Sequence, residues 1–272
     1  MLNQNLTLLI HSCDKFSDLW DVHIKLLNQS WGDRNIRTIV LTDKPTDHKL
    51  PGVEIIASGE GDEITARIRY VLPLIETEYV LVTLDDYFPI IPISNKRIER
   101  LVDIMERESY DYMRLFDRPH CPLQSTVYEN IFTYTLDKDY RVNLYAGIWK
   151  KTFIAQTLPE IGNMNAWEFE VSLTKVANKI GAKCAVSHGK EFEILDVVRK
   201  GKILRNANKY LKKYDLYHGA RPVMKWQDEF KLWIKTEGNR FLHKYFPKNL
   251  YYTVKRLCMK FGMNSFSGQQ DK

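Results

Sequence analysis

Short, wholly apolar runs alternate in the first half of the chain with stretches of helical spacing. Leu6 to Ile10 is the first such run, and it gives way to the polar, turn-prone His11-Ser12-Cys13-Asp14. Phe16, Leu19, Trp20, His23, Leu26 and Leu27 then share one face of a predicted helix over 16–27. A second β-rich run spans 36–43 and ends in Asp43, and a third, shorter one spans 53–56. Ile64, Ile68, Val71, Leu72 and Ile75 predict a helix over 63–75, which leads into a fourth strand, "EYVLVTL". That strand ends in two adjacent carboxylates, Asp85 and Asp86, followed by Tyr87 and Phe88.

The pattern continues with a helix over 96–107, a strand over 110–115, and two short antiparallel strands at 127–128 and 131–134. Leu144 to Lys151 follows, small in its middle and aromatic at its edges. A helix opens at Asn165 and runs to about Ile180, where Gly181 ends it ahead of a strand over 184–187. Strands apolar on both faces, alternating with helices, predict an α/β domain built on a largely parallel sheet. Such sheets bind ligands beyond the carboxyl ends of their strands. Three of the first four strand exits carry small polar or acidic residues: Ser12 and Asp14, then Asp43, then Asp85 and Asp86.

Composition adds limits. With 272 residues and 44% of them apolar, the chain can bury a sizeable core. No run approaches the ~20 apolar residues that span a bilayer, and the start of the chain has no basic leader, so a cytoplasmic protein is expected. The four cysteines are scattered without paired spacing and read as reduced thiols. Charge is uneven. From Arg199 to Lys260, 17 Lys or Arg stand against 4 Asp or Glu, a balance of +13, so the remainder carries −7 of the overall +6.

Neighbouring carboxylates at a strand tip repel each other, and a cation or ligand that needs them is the usual compensation. A solvated turn capped by Asp85 or Asp86 is the plainer reading. The order of parts is more specific than any one of them. A polar turn after the first strand, Asp43 after the second, "YVLVTLDDYF", "LYAGIWKK" and "NAWEFE" together resemble the GT-A fold of nucleotide-sugar glycosyltransferases, most closely the bacterial surface-polysaccharide type. The likeness covers roughly 6–202 and implies a Rossmann-like, mostly parallel sheet with helices on both faces. Asp85-Asp86-Tyr87 looks like a variant of the family's DxD motif, contiguous where the usual pattern separates its acids by one residue.

What the resemblance implies is concrete. Asp86 would hold a divalent cation, Mn²⁺ or Mg²⁺, and Asp85 a ribose or sugar hydroxyl or a shared metal ligand; His188 is a candidate third ligand. Hard cations suit oxygen donors, and one placed here would neutralise charge on a departing nucleoside diphosphate. Ser12, Asp14 and Asp43 would contact the nucleotide, and Arg67 in preference to Arg69 the diphosphate. Gly147 would admit the donor sugar, and Arg199, Lys200 and Lys202 around Gly201 would close over the diphosphate as a lid. Glu168 or Glu170 would take the acceptor's proton in an inverting transfer, with Trp167 and Trp149 against the acceptor. Two of these have structural alternatives: Asp14 is placed to cap the following helix, and Asn165-x-x-Glu168 has capping-box spacing.

The predicted layout is therefore a catalytic domain over 1–202 and a basic, aromatic helical extension over 203–272. In the extension Trp226, Phe230, Trp233 and Ile234 share a face that Phe241 and Tyr245 continue, ringed by Lys225, Lys231, Lys235, Arg240 and Lys244. Such a face suits an anionic inner-leaflet surface and a lipid-linked acceptor, or packs on the catalytic domain or a second subunit. No nucleic-acid reader motif is present. The expected activity is metal-dependent transfer from a nucleotide-diphosphate sugar, UDP-linked, to a saccharide or lipid-linked acceptor. The rivals are a sugar nucleotidyltransferase, against which the lack of glycine at 11–14 counts, and a non-catalytic scaffold on the same fold.

Overall fold

The structure, a computed structural model, describes residues 1–59 and 63–233. Two compact units are present, Met1–Asp196 and Val197–Lys272. In the first, the strands are β1 (Leu6–His11), β2 (Thr38–Thr42), β3 (Glu54–Ala57), β4 (Tyr79–Leu84), β5 (Tyr87–Pro89), β6 (Tyr112–Arg114), β7 (Gln124–Ser125), β8 (Ile131–Thr133), β9 (Gly147–Lys150), β10 (Cys184–Ser187) and β11 (Ile194–Asp196). Its helices are α1 (Leu2–Asn5), α2 (Trp20–Ser30), α3 (Ile64–Val71), α4 (Asn95–Glu108), α5 (Lys151–Thr157) and α6 (Ala166–Lys179).

Nine strands form one sheet in the order β3-β2-β1-β4-β9-β6-β10-β8-β7. β1 lies parallel to both β2 and β4, and β6 lies parallel to β10. β9 runs antiparallel between β4 and β6. β1 and β2 are buried along their whole length and β4 in all but its last residue, as expected of strands covered on both faces. Trp20, Ile24 and Leu27 of α2 and Ile98, Leu101 and Met105 of α4 fill the core on one face. Ile64 and Ile68 of α3, Phe153 of α5 and Phe169 and Leu173 of α6 fill the other. The Rossmann-like, mostly parallel sheet predicted from the pattern is present, with helices on both faces.

Helix ends follow local chemistry. Ser94 accepts the Arg97 N–H at the start of α4, and Asn165 accepts two N–H groups at the start of α6. Past α6 the chain turns through Gly181 at φ 68°. The segment predicted as one helix over 16–27 begins instead as a 3₁₀ turn over Asp14–Leu19. The strand expected at 127–128 lies at Gln124–Ser125, and Val127 is 90% exposed. β5 and β11 pair as a short antiparallel ribbon that places Asp196 opposite Tyr87.

In the second unit, β12 (Val198–Arg199) and β13 (Lys202–Ile203) pair around Lys200 and Gly201, both in the left-handed region at φ 52° and 72°. Two successive residues with positive φ make a tight hairpin turn, and glycine is the natural second one. The predicted basic loop is thus a hairpin with Arg199 opposite Lys202. α7 (Arg205–Lys213) buries Ala207 and Leu211. α8 (Trp226–Trp233) leaves Trp226 and Phe230 exposed at 57% and 49%. Ile234, Lys235, Arg240, Phe241, Lys244 and Tyr245 lie outside the described residues. Among the described residues no helix is long and apolar enough to cross a membrane.

Candidate active site

From β1 the chain builds β2 and β3 on one side and then crosses back to place β4 on the other. The two directions part between β1 and β4, and a crevice at the carboxyl ends of such strands is where an open α/β sheet binds ligands. Ser12 follows β1 and Asp85 follows β4, and they meet there: the Ser12 hydroxyl donates to the Asp85 carboxylate. Trp20 Nε1–H in turn donates to Ser12 Oγ at 2.6 Å. The Asp85 backbone is fixed as well, its N–H donating to His11 O at 3.0 Å and its carbonyl accepting His23 Nδ1–H at 2.9 Å. Asp85 is buried, whereas Asp86 beside it is half-buried. The first acid is built into the wall; the second stands at the tip.

Asp43 closes the next strand end. Its carboxylate accepts the Asp14 N–H at 2.6 Å and the Thr42 hydroxyl at 3.3 Å. Burial opposes its ionisation, but those bonds and the Arg67 charge hold its carboxyl below the usual range. Asp14 was expected to cap the helix that follows it, and no side-chain cap bond forms there; Asp43 accepts the backbone N–H of Asp14 itself. The Asp14 carboxylate pairs instead with Lys44 at 3.1 Å.

Arg67, buried on α3, is near enough to act on His11, Cys13 and Asp43. Arg69 turns away, bonding to Leu158 O at 3.2 Å and to Ile161 O and Asn163. Burial and then the Arg67 charge push the His11 imidazole down to about 3. Burial pushes the Cys13 thiol up, and Asp85 adds to it.

The start of α6 stands at the same edge, because α6 returns the chain to the amino end of β10. Thr65 of α3 accepts the Met164 N–H at 3.0 Å and ties this entry in place. Trp167 is 70% exposed and Glu168 is exposed beside it. Asn165 Oδ1 accepts the N–H groups of both at 3.1 Å. Glu170 has other work: its carboxylate accepts the Leu144 N–H at 2.7 Å and so holds the approach to β9.

Two expected site residues, Trp149 and His188, are placed elsewhere. Trp149 is buried in the core against Tyr112 and Phe153, with no face for an acceptor. Gly147 is required by packing: a Cβ there would lie 2.7 Å from the Tyr112 ring and 3.2 Å from Met113 O. His188 follows β10, three strands from β4, and spacing of about 4.8 Å per strand puts it roughly 14 Å from the acidic pair. One cation cannot take ligands from both. His188 Nε2 lies instead 3.2 Å from Asp117.

No local sequence signal marks the aromatic floor beside the pair. Tyr87 stacks on Tyr145 at 5.3 Å and 9°, and Tyr145 meets Phe116 at 5.1 Å. These residues come from three distant segments and share no local signature. Among the described residues no group of three or more His, Cys, Asp or Glu is arranged to hold a metal. The donor set still fits a Mg²⁺-like ion, which is typically held by one or two carboxylates together with substrate phosphates. Asp86 and Asp85 are the residues that would hold such an ion.

No family model matches this sequence, and no curated protein matches it. Among solved structures, residues 1–349 of S. aureus TarS in complex with UDP-GlcNAc align over 73% of this chain at 15% identity and a TM-score of 0.48. A UDP-glucose pyrophosphorylase complexed with UDP-glucose aligns over 70% at 8% identity and 0.45, covering 92% of that chain. The bifunctional IspDF of Campylobacter jejuni aligns over 71% at 16% identity and 0.40, covering 52% of that chain. This chain spans 60% of the TarS fragment. At these scores the likenesses carry no functional argument, and the fold rests on the strand order given above.

Proposed function

We propose that the protein is a glycosyltransferase that moves a sugar from a nucleoside diphosphate, UDP-linked, to a saccharide or lipid-linked acceptor in surface-polysaccharide synthesis. The observation that carries this reading is the meeting of Ser12, Asp43, Arg67, Asp85 and Asp86 at one carboxyl-edge crevice. Hydroxyl and carboxylate groups there suit ribose and base, and the guanidinium suits phosphate oxygens. Mn²⁺ or Mg²⁺ held by Asp86 and Asp85 would supply Lewis-acid neutralisation of the leaving diphosphate. Arg67 would bind the same phosphates as a fixed positive charge, preorganised by burial. Of the two glutamates at the acceptor side, Glu168 is the one open to an incoming hydroxyl.

Calorimetric titration with UDP, with and without Mn²⁺, tests the donor site; turnover of UTP with a sugar phosphate would move the reading to nucleotidyl transfer.

The second unit supports a location for this chemistry. Trp226 and Phe230, their ring centroids 5.9 Å apart, are exposed beside Lys225 and Lys231 on a basic segment. We propose that it lies on an anionic membrane surface, each well-placed cation contributing on the order of 1 kcal/mol. The full chain should sediment with phosphatidylglycerol vesicles and not with neutral ones, and truncation after Asn206 should release it. A full-length chain that never sediments would remove the membrane.

A further inference from the structure

A second cluster of titratable side chains stands on the same edge of the sheet, outside the crevice. Two imidazoles lie close to Asp117: His120 Nδ1 is 3.0 Å from one carboxylate oxygen and His188 Nε2 is 3.2 Å from the other. The loop that presents Asp117 and His120 is gripped from the interior at three successive carbonyls. Asn143 Nδ2 donates to Arg118 O at 3.2 Å, an Arg114 amino group to Pro119 O at 3.0 Å, and an Arg141 amino group to His120 O at 3.2 Å. Asn143, Arg114 and Arg141 are all buried, Arg114 completely.

Burying a guanidinium is costly. Among the described residues no carboxylate pairs with Arg114, whose guanidinium lies 4.8 Å over the Tyr134 ring. A loop with nothing to present would leave its carbonyls to water. This one is fixed by buried cations, the kind of support that holds a functional side chain to one geometry.

Its place fits one task. The register Val82–Gly147–Arg114–Val186 runs straight across β4, β9, β6 and β10. Asp86 and Asp117 therefore leave the edge from strands two apart, about 10 Å by strand spacing. The Tyr87–Tyr145–Phe116 floor lies between them, Tyr145 and Phe116 partly exposed. A sugar ring resting on that floor would have its phosphate side toward Asp86 and its opposite face toward His120.

We propose that His120, oriented by Asp117, is the base that accepts the proton of the attacking hydroxyl; the proposal rests on the glycosyltransferase reading. Asp117 stands 3.0 Å from Nδ1, and a proton held there would leave the lone pair on Nε2. As the acceptor O–H bond breaks, its proton passes to Nε2 and the oxygen forms a bond to the anomeric carbon. The bond from that carbon to the diphosphate oxygen breaks, and its electron pair leaves with the nucleoside diphosphate. The imidazolium, stabilised by Asp117, then returns the proton to solvent. Asp117 acts through His120 and is a positioning residue. Glu168, by contrast, has no hydrogen-bond partner on its carboxylate among the described residues.

The test compares H120Q and E168Q in the full chain, reading UDP release from UDP-GlcNAc and UDP-glucose in Mn²⁺ across pH. The charged groups around His120 are Asp117, His188 and Arg141, the last 3.6 Å from Asp137. H120Q should fall by about 100-fold, and E168Q by less than about tenfold. D117N should lower kcat about tenfold or more and shift the His120 tautomer in ¹⁵N imidazole spectra, with D117E restoring part of both. H120Q within about twofold of wild type, or the larger loss in E168Q, overturns the assignment. A wild type that releases no UDP removes the glycosyltransferase reading instead. The imidazole spectra judge the dyad in either case, and a His120 that does not carry its proton on Nδ1 at neutral pH overturns it.

Discussion

Asp86→Asn should lower donor turnover by about 100- to 1000-fold while leaving the far-ultraviolet circular dichroism and thermal midpoint native. The side chain is half-buried at the strand tip, so removing its charge takes away a phosphate-side ligand without opening the core. Asp85→Ala should behave differently. Its carboxylate accepts the Ser12 hydroxyl in a buried wall that Trp20 completes. Cutting that bond takes the carboxylate acceptor from the buried Ser12 hydroxyl, at a cost of about 1–3 kcal/mol in stability. The Asp86 variant should lose turnover alone, and the Asp85 variant turnover and stability together. Wild-type turnover in Asp86→Asn would contradict the site assignment.

The second large effect is acid sensitivity. Burial pushes the His11 imidazole down to about 3, with Arg67 adding to it, and burial pushes His23 down to about 4, from the ordinary 6.5. Below pH 6.5 the unfolded chain takes up protons at both positions that the folded chain refuses. Stability is therefore fully present above that pH and falls on acidification until the folded imidazoles themselves titrate. Each histidine contributes about 1.4 kcal/mol per pH unit, so denaturant unfolding between pH 6 and 5 should lose on the order of 2–3 kcal/mol. His11→Leu should remove about half of that slope. A pH-independent unfolding free energy across this interval would show that neither imidazole is held neutral.

Much of the site was legible because it was built from strand ends. Apolar runs bounded by Ser12, Asp43 and Asp85 announce both a buried sheet and its polar edge, and the structure brings these residues together with Arg67. The order of neighbours made the difference elsewhere. Trp149 and Gly147 sit in a run that reads as small and aromatic, but only the pairing of β9 with β4 and β6 shows that Tyr112 occupies the space beside them. His188 looked available to a cation until its strand proved to lie beyond β6. Glu168 and Glu170 differ by two positions on one helix, yet of the two it is the Glu170 carboxylate that accepts the Leu144 N–H.

What could not be read was assembled across distance. Asp117, His120 and His188 belong to two loops, and Asn143, Arg114 and Arg141, which grip one of them, come from elsewhere in the chain. Nothing in local spacing marks a buried arginine, since its usual place is the surface. The short β5–β11 ribbon was missed because three-residue strands leave no periodicity to detect.

Calorimetric titration of the full chain with UDP tests the central claim most directly. The account predicts one site that binds about tenfold or more tightly when Mn²⁺ is present, with that gain lost in Asp86→Asn. Binding that is absent, or that Mn²⁺ does not change, would contradict it.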